Sequence, residues 1–411
     1  MDLTLLVFVL VYVAMGFGHL PGFKVDRTGA AIVGAMVLMA AGRIAPQAAW
    51  DAIDYRTIGM LFGLMVVSAA FVVSGFYGWA ARRVGSLEVS PPALLAILIG
   101  VSAGLSALLT NDVVVVAMTP LLVSVTLARG LNPTPFLLAF CFAANTGSAA
   151  TIIGSPQNMI AAQGLHMSFN GFLRVALLPA LASLPIVWGV IALLYRGRWR
   201  LAAAPGAAPP AAAGKVNRIE TAKAGVVTLG VIAAFVLTDW PRELVALGGA
   251  SLLLVNRRIA STDMLRNVDG DLLLMLMGLF IVNAALAATG LPQALLADMR
   301  AAGVDLQDPL WLLAVVSVLS NVVGNNPAVM LLVPFLDAGQ GDVDALGAAL
   351  ALGTGFSSNL IVFGSLAGII VVEQAGRHGV RIGFGEFARA GVPVALACLA
   401  LAAAWILLLT R

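Results

Sequence analysis

The chain has little of what a water-facing surface is made from. Of its 411 residues only 10% are charged and 61% are hydrophobic, whereas a soluble domain carries about 25% charged residues. An ordinary soluble fold is therefore excluded. Cysteine is scarce too. Cys141 and Cys398 lie far apart, each inside an apolar segment, so neither a disulfide framework nor a zinc site is implied, and both read as small buried hydrophobes. The three histidines, His19, His166 and His378, fall in or near expected loops without paired spacing. No basic stripe with interleaved aromatics occurs, which excludes nucleic acid as a partner. The net charge of +3 is spread over loops rather than gathered in one patch.

What the chain has instead is apolar runs of about 20 residues, each long enough to cross a bilayer as a helix. Spans are expected near 3–18, 28–42, 57–76, 134–165 and 171–195, then near 222–238, 243–256, 271–290, 345–375 and 387–410. The first has an acidic leader and no small-residue cleavage site, so it reads as a retained span rather than a signal peptide. Two further stretches, 91–128 and 308–338, are interrupted by polar residues at a sharp point and read as re-entrant hairpins. Residues 201–214 are rich in Ala and Pro, as a flexible linker is. The expected organisation is a first repeat over 1–198, a linker over 199–221 and a second repeat over 222–411. The basic residues Arg196, Arg198, Arg200, Lys215, Arg218 and Lys223 flank or enter that linker. They place it in the cytoplasm and put both termini outside, in a multi-pass protein of the cell (inner) membrane.

The repeat is visible residue by residue. A shift of 215 brings Arg27 onto Arg242, Gly34 onto Gly249, and Arg43, Ile44 and Ala45 onto Arg258, Ile259 and Ala260. The same shift pairs Asp54 with Asp269, Gly63 and Leu64 with Gly278 and Leu279, and Gly75 with Gly290. Five full spans per half is an odd number, so the second copy must lie upside down in the membrane. The expected fold is thus an all-α polytopic protein of two inverted repeats, each with a re-entrant hairpin and a broken helix, an architecture of secondary transporters.

The polar interruptions pair as well. Ser106, Thr110, Asn111 and Asp112 of the first hairpin meet Ser320, Gly324, Asn325 and Asn326 of the second at a shift of 214. A hairpin tip leaves backbone outside the helical ladder, which is tolerated only in protein or against a water-filled cavity. Asp112 is the carboxylate of the first tip. A charge at the bilayer centre costs on the order of 2.5–3.5 kcal/mol. Burial disfavours its charged form while a cation or donor amides favour it, opposing pulls that suit a proton- or cation-coupling group. The alternative is a plain cap for a half-helix.

The second pair of interruptions holds Asn145, Thr146, Gly147, Ser148, Thr151, Gly154, Ser155, Pro156, Gln157 and Asn158, against Thr354, Gly355, Ser357, Ser358, Asn359, Gly364 and Ser365. Glycines, a proline and small hydroxyl or amide side chains let a transmembrane helix unwind and offer polar groups to a dehydrated solute. Half-helix N-termini would add positive dipole ends. Close helix packing through small residues is the competing explanation.

At these residues the sequence resembles the ion transporter superfamily, in its arsenite-efflux permease, sodium–proton antiporter and citrate-transporter-like branch. The resemblance spans essentially the whole chain and is carried by Thr110 to Asp112, Asn145 to Asn158, Asn325 to Pro327, and Ser358, Asn359, Gly364 and Ser365. It implies a scaffold and a transport domain, a homodimer, elevator-like motion, and a site around Asn111, Asp112, Thr146, Asn325, Asn326 and Thr354. The segment from Ser358 to Gly364 is more similar to uncharacterised anion permeases of that branch.

The leading expectation is a secondary active transporter that couples H+ or Na+ to a small oxyanion or metalloid oxyacid, arsenite-like, with Asp112 as coupling carboxylate. Its partners are then the bilayer and a small inorganic or carboxylate anion or metalloid. No cofactor or metal site is implied beyond a coupling H+ or Na+. The alternative is a Na+/H+ antiporter. An intramembrane enzyme needs a nucleophile with its base, and Ser155 has no evident His or Lys partner. A transceptor would be a further class, and nothing appended to the chain supports it.

Overall fold

The computed structural model describes residues 2–201, 216–337, 339 and 342–411. The core of the expected linker, 202–215, therefore lies outside the described residues. Among the described residues are twenty α-helices and two short 3-10 turns, with no β-strand.

The first ten helices are α1 (Leu3–Phe17), α2 (Arg27–Ala40), α3 (Pro46–Asp51), α4 (Tyr55–Val73), α5 (Phe76–Gly85), α6 (Pro91–Leu108), α7 (Asn111–Ala128), α8 (Pro133–Ser148), α9 (Pro156–Gly164) and α10 (Phe169–Leu194). The next ten are α11 (Arg218–Leu237), α12 (Arg242–Leu254), α13 (Ser261–Leu265), α14 (Gly270–Ala287), α15 (Leu291–Ala301), α16 (Pro309–Val323), α17 (Asn325–Leu332), α18 (Val343–Ser357), α19 (Leu366–Arg377) and α20 (Phe384–Leu409). Seven of them, α4, α6, α7, α10, α11, α14 and α20, are long and apolar enough to cross a membrane. The protein is a multi-pass membrane protein.

The contacts across the two sets of ten are reciprocal. α2 packs on α14, and α4 packs on α12. A Cβ on Gly63 of α4 would sit 2.6 Å from the backbone of Ala246 in α12, and a Cβ on Gly278 of α14 would sit 2.7 Å from the backbone of Ala31 in α2. Both crossings thus need a residue without a side chain, at positions the sequence pairs. Asp54 and Asp269 are likewise equivalent, capping α4 and α14 by accepting first-turn N–H groups. Gly63→Val should force α4 off α12 and destabilise by about 1–3 kcal/mol, as overpacking does. Thermal unfolding in detergent checks this, with Gly59→Ala as the tolerated control because its nearest side chain is 3.4 Å away.

As expected of a broken helix in each half, the spans 134–165 and 345–375 are each two helices with a break between, α8 and α9, and α18 and α19. Elsewhere the helices differ from the expected spans. α11 begins at Arg218 rather than at 222, because Asn217 caps it through the Glu220 N–H. Four helices stand where loops were expected, the short α3 and α13 and the longer α5 and α15. α5 and α15 each follow a glycine at positive φ, Gly75 and Gly290, and each is amphipathic and carries arginine in its last turn, so neither shows as an apolar run. The first hairpin has arms of 18 residues each, about 27 Å at 1.5 Å per residue, so each arm is as long as a full crossing. In the second the return arm α17 has only 8 residues.

Candidate functional site

Four helices begin at one place. Asn111 and Asp112 open α7, Gln157 lies in the first turn of α9, Asn325 and Asn326 open α17, and Ser365 caps α19. Together they line a cavity of about 190 Å³. Its rim is formed by Arg27 and Thr28 of α2 and by Asp269, Asp271 and Leu272 at the start of α14.

The first tip is set by a two-residue break, Leu109 and Thr110, in extended backbone. Thr110 is tied down from both its groups: its N–H and its Oγ1 each donate to Ser68 Oγ of α4 at 3.1 Å. The Asn111 N–H donates to the Gly154 carbonyl at 3.1 Å, joining the tip to the break between α8 and α9. The second tip turns at Gly324, whose φ of 96° suits only glycine. Asn325 Nδ2 then donates to Ser358 Oγ at 2.8 Å, joining this tip to the break between α18 and α19. Each tip is thus held by the broken helix of its own half.

The two breaks are stitched to each other. Asn145 Nδ2 donates to Asn359 Oδ1 at 3.0 Å and to Ser365 Oγ at 3.1 Å, and Asn359 Nδ2 donates to Thr146 Oγ1 at 3.2 Å. Asn158 Nδ2 donates to the carbonyls of Ser148 and Thr151, both at 2.8 Å, spanning the first break from inside. Thr151 Oγ1 donates to the Ala107 carbonyl and accepts the Gly154 N–H. Apart from half-buried Ala107, these groups are buried, where an unpaired carbonyl costs about 1–3 kcal/mol.

Of the residues singled out in the sequence, Asn111, Asp112, Asn325 and Asn326 line the cavity. Thr110, Asn145, Thr151, Asn158, Ser358 and Asn359 form the hydrogen-bonded layer behind them. Ser155 lies buried at the N-cap of α9. Thr146 Oγ1 and Thr354 Oγ1 donate back into their own helices, to Phe142 and Leu350, and Ser357 pairs with Ser320 at 2.9 Å. Gly147 is a close-packing position, since a Cβ there would meet Ala103 of α6 at 2.4 Å, and a Cβ on Gly355 would meet Ala149 at 2.7 Å. Sequence reasoning left out Gln157, Ser365 and the rim residues Arg27, Thr28, Asp269 and Asp271. Gln157 and Ser365 stand inside the quoted polar segments. The rim residues carry no local signal, because only the packing of α2 on α14 brings them to the cavity.

The cavity offers both donors and acceptors. No side chain caps the N-termini of α7, α9 or α17; the Asn111 N–H is spent on Gly154, but the backbone N–H groups of Asp112, Gln157, Asn325 and Asn326 have no partner among the described residues and can serve a bound oxygen. Five buried oxygens at or beside it have no partner among the described residues: Asn111 Oδ1, Ser155 Oγ, Asn158 Oδ1, Asn325 Oδ1 and Asn326 Oδ1. The orientation of Asn158 follows from chemistry, because only its NH2 group can serve two carbonyls. The Asp112 carboxylate makes no hydrogen bond with a described residue and caps nothing; it faces the cavity. No cluster of His, Cys, Asp or Glu with metal-ligating geometry occurs among the described residues.

The citrate transporter family matches residues 8–355 of the chain. The chain belongs to that family. An uncharacterized transporter of Mycobacterium bovis is 31% identical over 423 residues, covering 97% of this chain and 96% of that protein. The silicon efflux transporter LSI3 of Oryza sativa subsp. japonica is 27% identical over 437 residues, covering 88% of this chain and 87% of that protein. In structure, the chain is similar to the YdaH transporter of Alcanivorax borkumensis, with a TM-score of 0.57 and 16% identity over 99% of this chain and 95% of that one. The resemblance read from the hairpin tips and broken helices holds at the level of the family, and the protein is a secondary transporter.

Proposed function

We propose that this transporter moves an uncharged, hydroxyl-rich oxyacid of the arsenous or silicic acid kind, coupled to protons through Asp112. The observation that carries the reading is the cavity's combination of unpartnered amide oxygens with uncapped helix N-termini. A solute with several O–H groups donates to the first and accepts from the second.

Charge argues in the same direction. Each helix N-terminus is equivalent to roughly half a positive charge, so the four at the tips and those of α2 and α14 at the rim contribute about +3. Arg27 adds one, and Asp112, Asp269 and Asp271 remove three, which leaves the lining far short of three carboxylates. A tricarboxylate would enter with most of its charge uncompensated, which burial penalises. The name of the rice relative, a silicon efflux transporter, supports the same solute class. The two halves are read as inverted repeats on the strength of their reciprocal packing, with the hairpins and broken helices as the moving part and a homodimer as the assembly.

A Na+/H+ antiporter is the second reading. It is favoured by the five unpartnered oxygens, which are also what a desolvated Na+ needs. Proton flux in proteoliposomes against arsenite, antimonite, silicic acid, sulfate, citrate and Na+ separates the two. Flux driven by the uncharged metalloid acids is the expected result. Flux driven by Na+ alone would transfer the case to the antiporter, and flux driven by citrate would overturn the charge argument.

A further inference from the structure

α4 and α14 meet the two hairpins at equivalent positions, yet by different means. Position 68 of α4 is Ser68, which takes both the N–H and the hydroxyl of Thr110 at the first tip. The shift that pairs Gly63 with Gly278 also pairs Ser68 with Asn283 of α14. Asn283 does not reach the second tip directly. Tyr12 of α1 stands between them: its hydroxyl lies 3.0 Å from Asn283 Oδ1 and 3.4 Å from the carbonyl of Pro327, in the first turn of α17. The Asn283 NH2 group is left buried without a partner among the described residues.

The same asymmetry appears in the open space. The cavity at the tips takes its α14 residues from 269–275, at the start of that helix. A second cavity, of about 430 Å³, takes 280–287 at the other end, together with Asp54, the end of α9 and the end of α17. Asn111, Asp112, Asn325 and Asn326 line the first cavity only. The site is therefore reached from one end of α14.

We infer that Ser68 and Asn283 are the docking points of the two hairpin tips, and that Tyr12 sets which side the site faces. In the state seen here the first tip is docked on Ser68. The second is held off Asn283 by one phenol, whose single proton is shared between Asn283 Oδ1 and the Pro327 carbonyl. In the opposite state the Asn283 NH2 group meets the second tip directly, and Ser68 releases Thr110. These are positioning residues, acting on the tips and not on the solute. The inference rests on the reading of the tip-lined cavity as the transport site.

The test reads sidedness rather than transport. Cys141 and Cys398 are both buried, so a single added cysteine reports its own exposure. Thr28→Cys marks the first cavity and Ala287→Cys the second. Each is labelled with a membrane-impermeant maleimide in vesicles of both orientations. Losing one hydrogen bond that favours one state shifts the balance about two- to tenfold. Tyr12→Phe and Ser68→Ala should each slow labelling at 28 and speed it at 287 by that factor. Tyr77→Phe is the control, because the Tyr77 hydroxyl is buried and has no partner among the described residues, and it should leave both rates unchanged. Unchanged labelling in Tyr12→Phe and Ser68→Ala overturns the inference, as does an equal shift in Tyr77→Phe. Labelling needs no substrate, so a failed solute panel with the expected labelling shifts would count against the oxyacid alone.

Discussion

Asp112→Asn is expected to abolish solute-driven proton movement in proteoliposomes, down to the protein-free background, while the variant folds and purifies as the wild type does. The fold should be spared for two reasons. The carboxylate makes no hydrogen bond with a described residue, so no internal bond is lost. An amide is also demonstrably accommodated at this point of a tip, since Asn326 occupies the equivalent position of the second hairpin and lines the same cavity. What the substitution removes is the one titratable group on either tip, held at a depth where a charge costs on the order of 2.5–3.5 kcal/mol. Asp269 and Asp271 are exposed at the rim and cannot replace it. Proton flux that survives in Asp112→Asn together with solute flux would reduce Asp112 to a bystander.

A second large contrast is expected between two asparagines that look alike in the sequence. Asn158→Leu should destabilise the protein severely, because its NH2 group serves two buried carbonyls across the first break. Each orphaned carbonyl costs about 1–3 kcal/mol, and the break is also what holds the Asn111 N–H through Gly154. Asn326→Ala should leave thermal stability unchanged, since its amide makes no hydrogen bond with a described residue and its oxygen is unpartnered. It should instead raise the KM for the solute about two- to tenfold, the worth of one hydrogen bond. Melting curves in detergent and solute uptake, measured side by side, check the contrast. A stable Asn158→Leu or a destabilised Asn326→Ala would show that the two layers of the site have been assigned the wrong way round.

That contrast also marks the limit of what sequence can say. Thr110, Asn111, Asp112, Asn325 and Asn326 were legible because a polar tip inside an apolar stretch has few explanations. Gly63 and Gly278 stood out as matched positions of the repeat, but that they are helix crossings comes from the packing of α4 on α12 and of α2 on α14. Asn158 and Asn326 could not be told apart, since one faces carbonyls and the other a cavity, and that depends on how α9 and α17 are aimed. Gly147 and Gly355 belonged to the same polar segments but serve helix packing, as small residues in membranes do. Arg27, Thr28, Asp269 and Asp271 stand at the ends of expected spans and carry no signal of a site; the α2–α14 crossing brings them to the rim. α5 and α15 escaped because an amphipathic helix of 10 or 11 residues has neither the length nor the hydropathy of a span.

The measurement that bears most directly on the account is an anomalous difference map at the arsenic edge, from crystals of the wild-type protein grown with arsenite. The account predicts one peak among Asn111, Asp112, Asn325 and Asn326, within hydrogen-bond reach of the uncapped first turns of α7 and α17, and a weaker peak there in crystals of Asn326→Ala grown at the same arsenite concentration. Arsenic only at Cys141 or Cys398, or no peak in the tip-lined cavity at concentrations that drive flux, would contradict it.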